Sequence, residues 1–127
     1  MGFFGKLFGI TETKPPLHLD DATFEREVLQ SELPVMVDVW GSRCAPCKQL
    51  EPVSMELAAR YAGRVKVCEL NAESAPFTMS RLGVKGTPTV LYFQKGKELD
   101  RVTGFRSSLY HVQAIEELFG LAPSKPK

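Results

Sequence analysis

The sequence predicts a single α/β domain in which a mixed β-sheet is flanked by helices on both faces. The 127 residues are 43% hydrophobic and 24% charged, which is the composition of one ordinary folded domain. Segments with helical periodicity alternate with short apolar runs rich in β-branched residues, in the order helix, strand, helix, strand, helix, strand, strand, helix. This order combines a βαβ unit with a hairpin and a closing helix, so the sheet should contain both parallel and antiparallel neighbours.

The first helix and the first strand are predicted before residue 41. Apolar residues recur at helical spacing over residues 21–32, and Asp20 or Asp21 can cap the start of this helix. Residues 35–40, Val-Met-Val-Asp-Val-Trp, form a nearly continuous apolar run. Such a run is typical of a strand that is covered on both faces, so we expect a buried parallel strand here.

A second helix, a second strand and a third helix follow. Leucine, valine and alanine residues share one helical face over residues 44–61. Residues 65–70 predict another buried strand, and Cys68 within it is expected to be a small core residue. Residues 75–82 predict a short helix that ends at a glycine. These elements complete the predicted βαβ unit.

The last predicted elements are a hairpin and a helix. Residues 89–93 and 99–103 read as two antiparallel strands, because the turn between them has Gly96 at a position that tolerates positive φ. Ser107 or Ser108 can cap a final helix whose leucine, valine, isoleucine and phenylalanine residues lie at helical spacing. The hairpin supplies the antiparallel part of the sheet.

Residues 17–121 are predicted to form the domain, with an extension at each end. Residues 1–16 combine glycines and aromatic residues with a Thr-Glu-Thr-Lys-Pro-Pro linker, and residues 122–127 are predicted to be a flexible tail. Over residues 1–10, Lys6 interrupts the apolar run and no cleavage site follows, so neither a secretory signal nor a membrane span is predicted. Three alternatives stay open for this extension: disorder, packing on the domain or a partner, and contact with a membrane surface.

Composition and charge exclude two broad classes of protein. The 16 basic and 15 acidic residues give a net charge of +1 and are scattered without a block of like charge, so no nucleic-acid partner is expected. Three cysteines are too few for a disulfide scaffold, and an odd number leaves at least one thiol unpaired. This cysteine content indicates a reducing compartment, and we expect a cytoplasmic protein.

A cysteine pair, Cys44-Ala45-Pro46-Cys47, opens the second predicted helix directly after a buried strand. Unpaired N–H groups and the helix dipole stabilise a thiolate on the first sulfur, and the second sulfur lies one turn into the helix. A disulfide can close at this spacing, and Pro46 stiffens the turn. Half of a zinc site is the other interpretation, but tetrahedral zinc needs four ligands and His18 and His111 are isolated. The pattern predicts a reversible dithiol and no metal.

Several further motifs accompany the cysteine pair in a fixed order along the chain. They are Val37-Asp38-Val39-Trp40, Cys44 to Lys48, Pro52, Val84-Lys85-Gly86-Thr87-Pro88-Thr89, Lys95-Gly96 and Gly104. In order and spacing, over about residues 17–121, these motifs resemble those of the thioredoxin family. The resemblance implies the thioredoxin fold, with a mixed central sheet and helices on both faces.

For the chemistry, the resemblance implies that Cys44 is an exposed nucleophile that attacks a substrate disulfide, and that Cys47 resolves the mixed disulfide. The family's buried aspartate, here Asp38, would help to deprotonate Cys47. A carboxylate inside an apolar run fits such a role, because its burial is costly unless the group is neutral or paired. No bound cofactor is implied beyond the redox-active disulfide Cys44–Cys47, and the electrons would come from NADPH through a thioredoxin reductase.

The resemblance also implies a shallow apolar groove for substrates around Cys44. Pro88 would be a cis-proline opposite the disulfide, which would free the backbone of Thr87 to pair with an extended peptide. The other residues that would contribute to substrate binding are Trp40, Arg43, Pro46, Gly104 and Phe105. Lys48, directly after the second cysteine, would modulate the site.

Three residues depart from the usual family pattern. Arg43 stands where the family usually has tryptophan and Ala45 replaces the usual glycine, so a cation lies beside the thiolate and the choice of partner is expected to differ. Glu69 stands where many bacterial thioredoxins have a lysine paired with the buried aspartate. If both turn inward, Glu69 and Asp38 should share a proton; otherwise Glu69 reaches solvent or pairs with a lysine or arginine.

The predicted function is therefore that of a protein-disulfide reductase, expected to act as a monomer on disulfide-containing proteins. An oxidase or isomerase is the alternative within enzymes, but no export signal assigns the chain to an oxidising compartment. A binding module with an idle dithiol is the alternative outside enzymes.

Overall fold

A five-stranded mixed β-sheet forms the centre of the molecule, which a computed structural model describes over residues 12–122. The strands lie in the spatial order β1, β3, β2, β4, β5. The first three of these are parallel, and β4 and β5 join as antiparallel neighbours. The strand bounds are Leu17–Leu19 (β1), Val35–Trp40 (β2), Lys66–Asn71 (β3), Thr89–Gln94 (β4) and Lys97–Thr103 (β5). The predicted α/β class and mixed sheet are confirmed.

Helices cover both faces of this sheet. Their bounds are Glu25–Leu29 (α1), Ala45–Arg60 (α2), Pro76–Leu82 (α3) and Ser108–Phe119 (α4). Helices α2 and α4 pack on one face, where Met36, Leu57 and Ile115 belong to one buried cluster. Helices α1 and α3 pack on the other face, against a second cluster that contains Val37 and Cys68. Because side chains alternate along a strand, β2 contributes to both clusters, as its apolar run predicts.

The hairpin of β4 and β5 closes the sheet at one edge. Its turn residues Lys95 and Gly96 both have positive φ, 53° and 79°, which matches the right-handed twist of the flanking strands. A Cβ at Gly96 would lie 2.9 Å from the Leu29 carbonyl oxygen, so glycine is required there for space as well as for φ. The prediction of positive φ at Gly96 is confirmed.

Two predictions about the start of the domain are wrong. Strand β1 is missing from the predicted order, because three residues are too few to show a period of two. The predicted helix over residues 21–32 is reduced to α1, which ends in a wide turn where the Gln30 N–H donates to the Glu25 carbonyl. Asp20 caps the turn that leads into α1, since its side chain accepts from the Thr23 N–H at 2.9 Å, whereas α1 itself has no side-chain cap.

The described chain begins on the surface of α2. The Lys14 N–H donates to the Met55 carbonyl at 3.0 Å, so the predicted linker is attached to the domain before β1 starts. The predictions for residues 1–10 and for residues 123–127 lie outside the described residues. Over residues 12–122, no helix is long and apolar enough to cross a membrane.

Candidate active site

The two cysteines of the pair lie at the start of α2, at the end of the central strand β2. Cys44 caps the helix, and its sulfur forms a disulfide with Cys47 across a Cα–Cα distance of 5.2 Å. The Cys47 N–H also points at the Cys44 sulfur, with a donor–acceptor distance of 3.2 Å. This amide and the helix dipole favour negative charge on Cys44 once the disulfide opens.

The two sulfurs differ in their access to solvent. Cys44 is half-buried, whereas Cys47 is 6% exposed and lies among the buried side chains. A molecule approaching from solvent therefore has better access to Cys44 than to Cys47.

A second loop, which precedes β4, faces Cys44. The Thr87–Pro88 peptide bond is cis, and the Thr87 hydroxyl lies 3.7 Å from the Cys44 sulfur. The Gly104 N–H donates to the Pro88 carbonyl at 2.8 Å, which brings the end of β5 to the same place. Phe105 follows and is 38% exposed. The start of α2, the loop before β4 and the end of β5 thus lie close together.

Glu73 holds the loop between β2 and α2. Its carboxylate accepts from the Ser42 N–H at 3.1 Å and from the Ser42 hydroxyl at 2.7 Å. These bonds, with a smaller contribution from the Arg43 charge, lower the pKa of Glu73. Arg43 itself is exposed and has φ of 57°, a left-handed conformation that is strained for arginine. Pro46 lies in the first turn of α2, and Lys48 is exposed one turn after Cys44.

Asp38 is the buried acid beneath this site. It is 4% exposed, its Oδ2 accepts from the Ser54 hydroxyl at 3.0 Å, and its Oδ1 has no hydrogen-bond partner. Burial raises the pKa of Asp38 to about 6; the Ser54 bond opposes the shift, and the charges of Glu69 and Glu51 add to it. The carboxyl group can therefore hold or release a proton near neutral pH.

Glu69 lies beside Asp38 on the neighbouring strand, in register with it. Its Oε1 accepts from the indole N–H of Trp40 at 2.5 Å, and its Oε2 lies 2.7 Å from Nδ1 of His18. The predicted lysine or arginine partner is wrong, because Glu69 pairs with His18 and Trp40. Among the described residues no hydrogen bond joins Glu69 to Asp38, and the sharing of a proton between them stays a prediction. The charge of Glu69 acts on Asp38 through space.

A pocket of about 630 Å³ opens beside the disulfide. Asp38, Cys47 and Glu69 contribute to its wall, so it connects the buried acid with the buried sulfur. The remaining lining residues are Pro15, Pro16, Trp40, Gly41, Ser42, Arg43, Lys48, Glu51, Ser54 and Met55. We call this space the Asp38 pocket.

Sequence reasoning missed three residues that shape the site. Ser54 donates to Asp38, and Glu73 binds the loop before α2. A single polar residue at such a position gives no sequence pattern that would indicate its role. His18 was considered only as an isolated histidine, because β1 is too short for its pattern to indicate a strand beside β3.

The fold and the site define a class of protein, the thiol–disulfide oxidoreductases in which a Cys-x-x-Cys pair opens a helix next to a cis-proline loop. The family model for thioredoxin matches residues 15–117. The chain belongs to the thioredoxin family, so the resemblance predicted from its motifs is confirmed.

Curated relatives agree with this assignment. A thioredoxin from Synechocystis sp. is 43% identical over 86 residues, which cover 68% of this chain and 80% of the relative. A thioredoxin from Rickettsia conorii is 40% identical over 68% of this chain and 82% of the relative. A thioredoxin from Thiocapsa roseopersicina is 48% identical over 59% of this chain and 82% of the relative.

Membership in the family assigns the chemistry of the cysteine pair. The chain is a protein-disulfide oxidoreductase that acts by thiol–disulfide exchange, and Cys44–Cys47 is its redox-active disulfide. Thioredoxins carry out this exchange without a bound cofactor and act on disulfide-containing substrates. Over residues 12–122, no group of three or more histidine, cysteine or acidic residues is arranged to hold a metal ion.

Proposed function

We propose that residues 17–121 form a cytoplasmic, monomeric protein-disulfide reductase in which Cys44 attacks and Cys47 resolves. The observation that carries this proposal is the contrast between the two sulfurs: Cys44 is half-buried at a helix start, and Cys47 is buried beside the Asp38 pocket. An attacking thiolate needs access to the substrate disulfide, whereas a resolving thiol needs access only to the first sulfur.

The proposed reaction has two exchange steps. The Cys44 thiolate attacks one sulfur of a substrate disulfide, so a mixed disulfide forms and the other substrate sulfur leaves as a thiolate. Cys47 then loses its proton and attacks the Cys44 sulfur. The Cys44–Cys47 disulfide forms again, the second substrate sulfur leaves as a thiolate, and two electrons have passed to the substrate.

Asp38 is the proposed acceptor of the Cys47 proton. Its unpartnered Oδ1 and the Cys47 side chain border the same pocket, and a pKa of about 6 suits proton exchange near neutral pH. Glu69 would tune this group through its charge, and Lys48 would modulate the site from the exposed side of α2.

Substrates are proposed to bind in the groove around Cys44. The backbone of Thr87, next to Pro88, would pair with an extended segment of the substrate, as a strand adds to a sheet edge. Phe105 offers apolar surface at the same place, because it is 38% exposed next to Gly104. Trp40, Arg43 and Pro46 would contact the substrate from the α2 side.

The electrons for each cycle are proposed to come from NADPH through a thioredoxin reductase. The test is reduction of insulin by the full chain with NADPH and a thioredoxin reductase, followed through NADPH oxidation. We expect steady turnover that the Cys44→Ser variant lacks, and Cys68→Ala is the matched control because Cys68 is buried on the opposite face. Activity with dithiothreitol as the only effective donor would contradict the proposed electron source.

A further inference from the structure

The Asp38 pocket has an unusual combination of surfaces. Its wall is mostly apolar, with Trp40 and Met55 among its members, and its volume is within the range of about 300–1,000 Å³ found for ligand sites. Three carboxyl groups, those of Asp38, Glu51 and Glu69, border the same space. Because these carboxyl groups outnumber the two cations on the wall, Arg43 and Lys48, an occupant should be largely apolar and carry a positive charge.

The first described residues of the chain lie at the rim of this pocket. Pro15 and Pro16 form part of its wall, and the Lys14 N–H is bound to the Met55 carbonyl at 3.0 Å. The described chain thus begins next to the opening, and residues 1–11 precede it in the sequence. Eight of these eleven residues would span on the order of 25 Å if extended, so the segment is long enough to enter the pocket and fold back.

The composition of residues 1–11 matches what the pocket requires. Apolar side chains dominate the segment, and Lys6 is its only charged side chain. The apolar residues are Phe3, Phe4, Leu7, Phe8 and Ile10. We propose that residues 1–11 dock into the Asp38 pocket of their own chain, with phenylalanine side chains against Trp40 and Met55 and with Lys6 facing the carboxyl groups.

The charged residues around the pocket indicate which side of it Lys6 would face. Arg43 on the loop before α2 and Lys48 on α2 are the cations that already border the pocket, and both are exposed. Asp38 has an oxygen without a hydrogen-bond partner, and Glu69 adds negative charge from β3. Lys6 would supply a positive charge on the side of the pocket where this chain has Glu69.

Trp40 is the probe for the test, because it is the only tryptophan in the chain and lines the pocket. Quenching of its fluorescence by acrylamide is compared between the full chain and its Phe4→Ser/Phe8→Ser variant. The matched control is Phe77→Ser on α3, which removes a phenylalanine that is 80% exposed outside the pocket. We expect the quenching constant to rise in the double variant and to stay unchanged in the control.

A second measurement uses NMR on the full chain. We expect contacts between phenylalanine ring protons of residues 1–11 and the Met55 methyl group. The Lys6→Gln variant should raise the pKa of Asp38 by about half a unit, because a nearby positive charge is lost. Equal quenching in all proteins would overturn the proposal, and so would the absence of these contacts. Protection of Trp40 that appears only at high protein concentration, or only with anionic phospholipid vesicles, would also overturn it.

Discussion

Two regions of this molecule use cysteine in opposite ways. At the end of β2, Cys44 is half-buried at the first turn of a helix, with an amide N–H at 3.2 Å and a hydroxyl at 3.7 Å from its sulfur. On the α1 and α3 face, Cys68 is fully buried among valine, leucine and phenylalanine side chains. Burial raises the pKa of Cys68 to about 12, so it stays a thiol and is inert. Location, and not residue type, separates the reactive thiol from the structural one.

The two faces of the sheet differ in the buried ionisable groups that they contain. The α2 and α4 face contains buried ionisable groups, Asp38 beside Ser54 and His111 beside the Tyr92 hydroxyl. The α1 and α3 face is built around a second cluster of apolar side chains, which contains Cys68. Both faces contain a large apolar cluster, but the α2 and α4 face also bears the cost of burying polar groups at the site.

The largest expected effect comes from replacing Cys44, and replacement of Cys68 provides the contrast. Cys44→Ser should abolish disulfide reduction, because the remaining thiol of the pair, Cys47, is only 6% exposed. Cys68→Ala should leave the rate of reduction unchanged and lower the free energy of unfolding by about 1 kcal/mol through the small cavity it leaves. Insulin reduction and urea unfolding measure the two quantities. A lower rate of disulfide reduction in folded Cys68→Ala would contradict the inert role assigned to Cys68.

Replacement of Asp38 should have the next largest effect. Asp38→Asn keeps the shape and the Ser54 partner but removes the proton acceptor, so reductase turnover at pH 7 should fall by about tenfold to a hundredfold. Ser54→Ala is the comparison variant: it keeps the acid but removes the bond that opposes its raised pKa, so turnover should fall less than in Asp38→Asn. Unchanged turnover in Asp38→Asn would show that Cys47 loses its proton elsewhere.

The same variant tests the pH dependence of stability. The pKa of Asp38 is raised from 3.8 to about 6, so between these values the folded state binds more protons than the unfolded state. The contribution of Asp38 to stability therefore falls as pH rises through this range and levels off above pH 6. Asp38→Asn should remove this loss, which is on the order of 2–3 kcal/mol. The pKa of His111 is lowered to about 4 by burial, but His111 is present in both proteins and cancels in the difference.

A smaller effect is expected from Glu69. Glu69→Gln removes the charge and keeps an acceptor for the Trp40 indole, so the pKa of Asp38 should fall by less than about one unit, because burial is the larger cause of its shift. Carboxyl NMR titration measures this change, and Glu117→Gln, at an exposed position of α4, is the matched control. A rise in the pKa of Asp38 would contradict the sign assigned to Glu69.

The smallest effect is expected at Arg43. Its cation should favour the Cys44 thiolate, but its exposure lets solvent screen the interaction, so Arg43→Ala should raise the pKa of Cys44 by about half a unit or less. The rate of alkylation against pH reports this pKa in the reduced protein. Lys97→Ala, at the exposed start of β5, is the control, and equal pKa values in all three proteins would remove Arg43 from the site.

The sequence was sufficient for features that repeat or that follow fixed spacing. The buried strand β2, the hairpin turn at Gly96 and the cysteine pair at a helix start were predicted because periodicity, turn geometry and motif spacing are local properties. Strand β1 and the bonds of Glu69 to His18 and Trp40 were not predicted, because they depend on pairing between residues far apart in the chain. The length of α1 was overestimated, since a capping residue and apolar spacing do not define where a helix ends.

The central claim is that Cys44 attacks and Cys47 resolves. Trapping of the mixed disulfide tests this claim most directly. Each single variant, Cys44→Ser and Cys47→Ser, is reduced and mixed with a disulfide-containing protein such as oxidised insulin, and covalent adducts are separated on a gel without reducing agent. The claim predicts that Cys47→Ser accumulates the adduct through the exposed Cys44 sulfur, while Cys44→Ser does not, because its Cys47 is 6% exposed. Equal trapping by both variants, or trapping by Cys44→Ser alone, would contradict it.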